Sequence, residues 1–351
     1  MNLFEKIPKK AVKVILKTAE NLLVKSYVRT SVKQACKRLE LEPELARRFQ
    51  DDFSHALDVT IQRIDADKKK AFVEMVPASR QLIDTLAEIF ITKDSELINP
   101  QYVEQALDFM EQGGNVLVVQ NHTSIADGFV WDALVNREFP EKNNPAHKCI
   151  QLAGHVIYAI CLHATLAGSM RCIQLISTRY KYSRIASQET KFTQEEIETK
   201  NKVAHKKLQE LCLEGGQWVA LHPEGTRSRS GRLEHGDDKT AKIAEIMEQS
   251  SPNGLWVLPV FIQGAAEIFP ALEGWEKRKF IHALKPTKCN VICGKPVPWE
   301  KICPKQETIL AYQNATKSLM NIGIARKQLI HAQIMRLLAD LAPKQELRGF
   351  W

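Results

Sequence analysis

At 351 residues the chain is long enough for one large or two ordinary domains, and 44% hydrophobic with 26% charged residues is the balance of a globular protein. That composition excludes a disordered tail, a collagen-like fibre and a membrane channel. Lys and Arg number 49 against 41 Asp and Glu, a formal charge of +8, so the expected partner carries negative charge: a phosphate, a nucleic acid, an anionic membrane or an acidic carrier protein.

The first ninety residues read as helix throughout. Phe4, Ile7, Ala11, Ile15, Ala19 and Leu22 recur at helical spacing among lysines. Residues 27–49, 50–65 and 76–92 continue the pattern without strand-like alternation, so a small helical bundle domain is expected over 1–95. Lys6, Lys9, Lys10, Lys13, Lys17 and Lys25 make the first helix equally readable as a face lying on an anionic membrane and as a solvated bundle face. No apolar run of signal-peptide length separates these lysines.

Near Asn99 the character changes. Asn99-Pro100 marks a helix start, residues 101–111 read as helix, and Gly113-Gly114 stops it. Residues 115–120 (NVLVVQ) form the continuous apolar run of a buried parallel strand. The stretch from Cys149 to Met170 is uncharged and as long as a membrane span. Gln151, His155, Tyr158, His163, Thr165, Ser169 and two glycines interrupt it. A buried strand (149–153) followed by a buried helix (156–166) is therefore preferred, and no transmembrane span is expected. Strands are expected at 172–177, 218–222, 255–263 and 289–293, with helices at 195–213 and 238–249. Pro259 inside the 255–263 run marks an edge or a bend. Residues 306–341 return to helix. The alternation predicts an α/β domain over 96–351, with a mostly parallel central sheet covered by helices.

Eight scattered cysteines, most with apolar neighbours, point to a reducing compartment. The expected location is cytoplasmic, with peripheral contact at the inner face of a membrane as an extension. Cys289 and Cys293 lack a second cluster of ligands, so no metal site is expected.

Three loops that follow buried strands carry the chemistry. In the first, Asn121-His122-Thr123-Ser124-Ile125-Ala126-Asp127 follows NVLVVQ. Ser124 can cap the next helix, with Asp127 in its first turn and His122 just outside. The carboxylate can then fix one ring nitrogen of His122 and leave the other to take a proton from a hydroxyl. No nucleophile-elbow serine is near, so direct attack by a substrate alcohol is the simplest chemistry. In the second loop, His222-Pro223-Glu224-Gly225-Thr226-Arg227-Ser228-Arg229 continues to Arg232. Arginines on a glycine-containing turn make a phosphate grip. In the third, Ser177-Thr178-Arg179-Tyr180-Lys181 adds positive charge to the same pocket. A non-catalytic nucleic-acid or anionic-surface binder is the rival class. Against it, aromatic content is only 7%, and no interleaved aromatic-basic motif is present.

His122 and Asp127 resemble the H-x4-D motif of the glycerolipid acyltransferases. Residues 223–228 (PEGTRS) resemble the second signature of that family, and 257–260 fall where its last, proline-containing motif lies. The resemblance covers about 100–300. With the helical N-terminal part it is nearest the soluble glycerol-3-phosphate 1-O-acyltransferases of plastids and bacteria. It implies transfer of a fatty acyl group from a thioester, on acyl carrier protein or coenzyme A, to the 1-hydroxyl of glycerol 3-phosphate. No cofactor beyond that co-substrate is implied. His122 would be the general base and Asp127 its partner. Acceptor binding would fall to Arg227 and Arg229, with Glu224, Gly225 and Thr226 of the same signature and Arg179 and Lys181 beyond. The family has a lysine-histidine pair where this chain has Arg179-Tyr180, and PEGTRS matches the wider acyltransferase pattern. Lysophosphatidate is therefore the alternative acceptor.

Overall fold

The computed structural model describes residues 25–67, 69–142, 145–154, 161–176, 192–225, 227–228, 233, 239–269, 284–315, 322–343 and 347. Strand β3 (Asn115–Gln120) and strand β6 (Trp218–Leu221) are buried along their whole length, as continuous apolar runs require. Their side chains alternate between two cores. Val116, Val118, Trp218 and Ala220 enter one apolar cluster, while Leu117, Val119, Val219 and Leu221 enter the other. The sheet thus has two covered faces, and β3 and β6 lie in its interior.

The other long strands fall close to expectation: β4 (Ile150–Gly154), β5 (Arg171–Leu175), β7 (Leu255–Gln263) and β8 (Asn290–Cys293). Three short strands fall where no alternation was expected: β1 (Phe72–Val73), β2 (Glu96–Ile98) and β9 (Val297–Pro298). At two or three residues each, they are too short for a period of two to register. The sheet order is β1-β5-β4-β6-β3-β7-β8-β2, with β9 beside β7. The run β5-β4-β6-β3-β7 is parallel, β1 pairs antiparallel with β5, β8 and β9 pair antiparallel with β7, and β2 closes the far edge parallel to β8. The mostly parallel α/β sheet is therefore present.

Pro259 corrects the expectation of an edge or bend. It stands in mid-strand, in register with Val119 of β3. On its other side the neighbour changes from β9, at Trp256 and Val257, to β8, from Val260 onward. The missing N–H falls at that change of partner. Gly294 makes the crossing, and a Cβ there would lie 2.7 Å from the Pro259 ring.

One face of the sheet carries the N-terminal helices. Residues 25–38 are helical, here α1. A single helix, α2 (Pro43–Asp67), replaces the two expected across 49/50, because the real break is the turn at 39–42, where Glu40 has φ 49°. Helix α3 (Pro77–Phe90) opens on a proline, suited to a first turn that needs no N–H donor. Phe49, Phe53 and Leu57 of α2 and Leu82, Ile83 and Leu86 of α3 join the same cluster as Val116, Val118 and Trp218. The apolar core therefore runs across the 95/96 boundary. Helix α4 (Pro100–Glu111) and helix α5 (Asp127–Glu138) complete this layer. The uncharged stretch does become strand β4 and then α6 (Cys161–Ala167). On the opposite face lie α7 (Gln194–Glu214), α8 (Lys239–Gln249) and a C-terminal helix (Ile322–Ala339). Among the described residues, no helix is long and apolar enough to cross a membrane.

Candidate active site

Strands β3 and β6 are parallel neighbours with Val119 opposite Leu221. Their carboxyl ends therefore release two loops side by side, at the end of the sheet where open α/β folds place ligands. The first loop carries His122 and the second His222 to Ser228. Residues about a hundred positions apart in the chain meet here.

Asp127 stands at the start of α5 and is fully buried. Its Oδ2 accepts from His122 Nδ1 at 2.9 Å and from the backbone N–H groups of Thr123 and Ser124, each at 2.9 Å. Thr123 Oγ1 donates to Oδ1 at 3.2 Å. These donors aim the carboxylate at the imidazole. Ser124 does not cap the helix as expected. The N-cap is Ala126, and the Ser124 hydroxyl instead accepts from the Ala126 N–H and donates to the Phe269 carbonyl. The loop is thereby pinned to the chain beyond β7. Asn121 adds a second pin, pairing both ends of its amide with the backbone of Ile262.

The second loop holds His122 from the other side. A turn closed by Gly225 N–H to His222 C=O (3.0 Å) places Pro223 and Glu224 at its corners, with Gly225 at φ 70°. The Glu224 carboxylate is buried and accepts the backbone N–H of His122. Ser228 N–H donates to the His122 carbonyl at 2.6 Å. Both backbone groups of His122 are thus clamped by the PEGTRS segment. Glu224, expected on the acceptor side, has its carboxylate on the backbone of His122.

The electrostatics follow from burial. Loss of water, then the nearby Arg227 guanidinium, pushes the His122 imidazolium down to about 3. Burial lifts Asp127 to about 6, against the opposing pull of His222 and of its N–H donors. At neutral pH the pair is a neutral imidazole with its Nδ1–H on a carboxylate. Its Nε2 is then a proton acceptor.

One neighbour carries no role in the sequence reading. His222 stacks on His122, with ring centroids 4.0 Å apart and planes at 14°. Its Nδ1 lies 3.2 Å from the Gln120 carbonyl and 3.1 Å from that of Asn121. The signal was available: a histidine stands just past each of two buried strands, and parallel pairing of those strands would bring them together. The side chains of His122, Asp127 and His222 also offer three ligand atoms within 4.8 Å of one another. A cation fits them poorly. The Asp127 oxygen facing His122 is occupied by three N–H donors, and near-parallel stacked rings direct their lone pairs side by side instead of toward one point.

Of the other expected site residues, Gly225 and Arg227 lie in this loop. Thr226, Arg229, Arg179 and Lys181 fall outside the described residues. Residues 95–263, from β2 to the end of β7, match the acyltransferase family model. They form an acyltransferase domain. Every site residue above, except the Phe269 carbonyl, lies within that domain. Among curated proteins none matches the chain.

Proposed function

We propose that this acyltransferase domain moves a fatty acyl group from a thioester to the 1-hydroxyl of glycerol 3-phosphate. The observation that carries the reading is the His122–Asp127 pair held beside Arg227. The hydroxyl gives its proton to His122 Nε2 as its oxygen attacks the thioester carbon. The C–S bond breaks, the ester C–O bond stays, and the thiolate takes the proton back from His122. Asp127 keeps Nδ1–H in place and stabilises the transient imidazolium. A thiolate leaves readily, so the reaction asks for no metal or prosthetic group.

Arg227 serves two ends in this scheme. Its guanidinium binds the acceptor phosphate, with Arg229, Arg179 and Lys181 proposed from sequence as its companions. The same guanidinium also weakens His122 as a base. A bound phosphate dianion offsets that charge and raises the proton affinity of His122, so the base strengthens when the acceptor is present. The basic surface suits either an acidic acyl carrier protein or coenzyme A as donor.

The test is acyl transfer by the purified chain, offering glycerol 3-phosphate and lysophosphatidate in parallel with each donor. Ester product from glycerol 3-phosphate is expected. His122→Ala should abolish it with the fold intact, and Arg227→Ala should raise the acceptor KM tenfold or more. Product from lysophosphatidate alone would move the assignment to that acceptor, and silence with both would overturn the reading.

A further inference from the structure

Two imidazoles stand where a general base needs one. Each has its Nδ1 edge committed inward: His122 to Asp127 at 2.9 Å, His222 to the β3 carbonyls at 3.1 and 3.2 Å. A carbonyl only accepts, so His222 Nδ1 carries the hydrogen and Nε2 is left as a lone pair. Burial, and then the neighbouring His122, pushes the His222 imidazolium down to about 3, which keeps that lone pair available at neutral pH. Neither Nε2 has a hydrogen-bond partner among the described residues. The site thus presents two stacked proton acceptors with rings 4.0 Å apart, close to a guanidinium.

A second acceptor beside a base is wasted on an alcohol with one hydroxyl. It is satisfied by an alcohol with two on adjacent carbons. We infer that His222 is a specificity-determining residue that accepts the hydrogen bond of the acceptor's second, unreacting hydroxyl through Nε2, so that the site selects a vicinal diol phosphate. This inference rests on the acceptor reading above and sharpens it. Only the hydroxyl facing His122 transfers its proton, while the hydroxyl on His222 keeps its own. Lysophosphatidate has a single free hydroxyl and would leave the His222 lone pair unpaired.

The experiment compares glycerol 3-phosphate with 3-hydroxypropyl phosphate, which lacks only the middle hydroxyl, using the full chain and one acyl thioester donor. In the wild type, kcat/KM should favour the diol by tenfold or more. His222→Phe keeps an aromatic ring for the stack and removes the acceptor nitrogen. It should bring the ratio between the two acceptors to near one, with thermal melting used to show a folded variant. A wild-type ratio near one overturns the inference even if the variant fails to fold. A His222→Phe ratio equal to that of the wild type overturns it as well. An active enzyme with no diol preference sinks this inference alone, whereas absence of transfer to either acceptor sinks the acceptor reading and this inference with it.

Discussion

In the proposed mechanism Asp127 should set the acid limb of activity. Its carboxyl titrates at about 6, above the ordinary value of 3.8, because it is buried. Below that pH it becomes neutral and ceases to hold the His122 Nδ1–H as an anion. The proposed rate should therefore rise as pH increases through about 6 and then level off, read as a profile of kcat/KM. Asp127→Asn should lose that limb and about 10²–10⁴-fold of the rate. Glu224 behaves differently because its carboxylate holds the backbone N–H of His122 and not the imidazole ring. Glu224→Ala should lower kcat about tenfold with a smaller change in acceptor KM, and Glu224→Gln should recover most of it, since an amide oxygen still accepts the His122 N–H. Steady-state kinetics on the pair of variants would decide this. The His122–Asp127 pairing was legible in the sequence because the five-residue spacing falls across one loop and one helix start. The backbone role of Glu224 was not, since it arises from a contact between loops far apart in the chain, and the stack of His222 becomes legible only once the two preceding strands are paired.

Between elements, a buried polar tie joins α3 to α5. Arg80 is buried and pairs with Asp132, also buried, and with Asp84 one turn along its own helix. Asn136 donates to the other Asp132 oxygen at 3.2 Å. Asp132→Ala would strand the guanidinium with the exposed Asp84 alone, and should cost about 3–5 kcal/mol in urea unfolding. Asp132 lies on the helix that Asp127 begins, so the same variant should also lower activity by loosening the helix start. The long elements were readable in advance for a plain reason. Residues 116–119 and 255–262 are apolar without interruption, and helix 194–214 carries its own capping box at Thr193 and Glu196. The edges β1 and β2 and the small β9 were not, because backbone pairing with a longer neighbour defines them, and side-chain pattern plays no part.

At the scale of the whole molecule, the helices before residue 95 and the sheet after it share one core. Phe49, Leu82 and Leu86 pack in the same cluster as Val118 and Trp218. The change in sequence texture at 95/96 was legible, but the shared packing was not, because an amphipathic helix does not announce which apolar surface it will cover. The pairing of β3 with β6 has a further consequence. Glu224 and the backbone of His122 are 102 positions apart, so this clamp on His122 forms only after a long loop has closed. Contacts of such long range form slowly, since the entropy of closure is lost before they repay it. Diluted from denaturant, the chain should regain helical circular dichroism first and catalysis last. A newly made molecule would then stay inert toward thioesters until its central strands had met, and turnover would serve as a clock for the completion of folding.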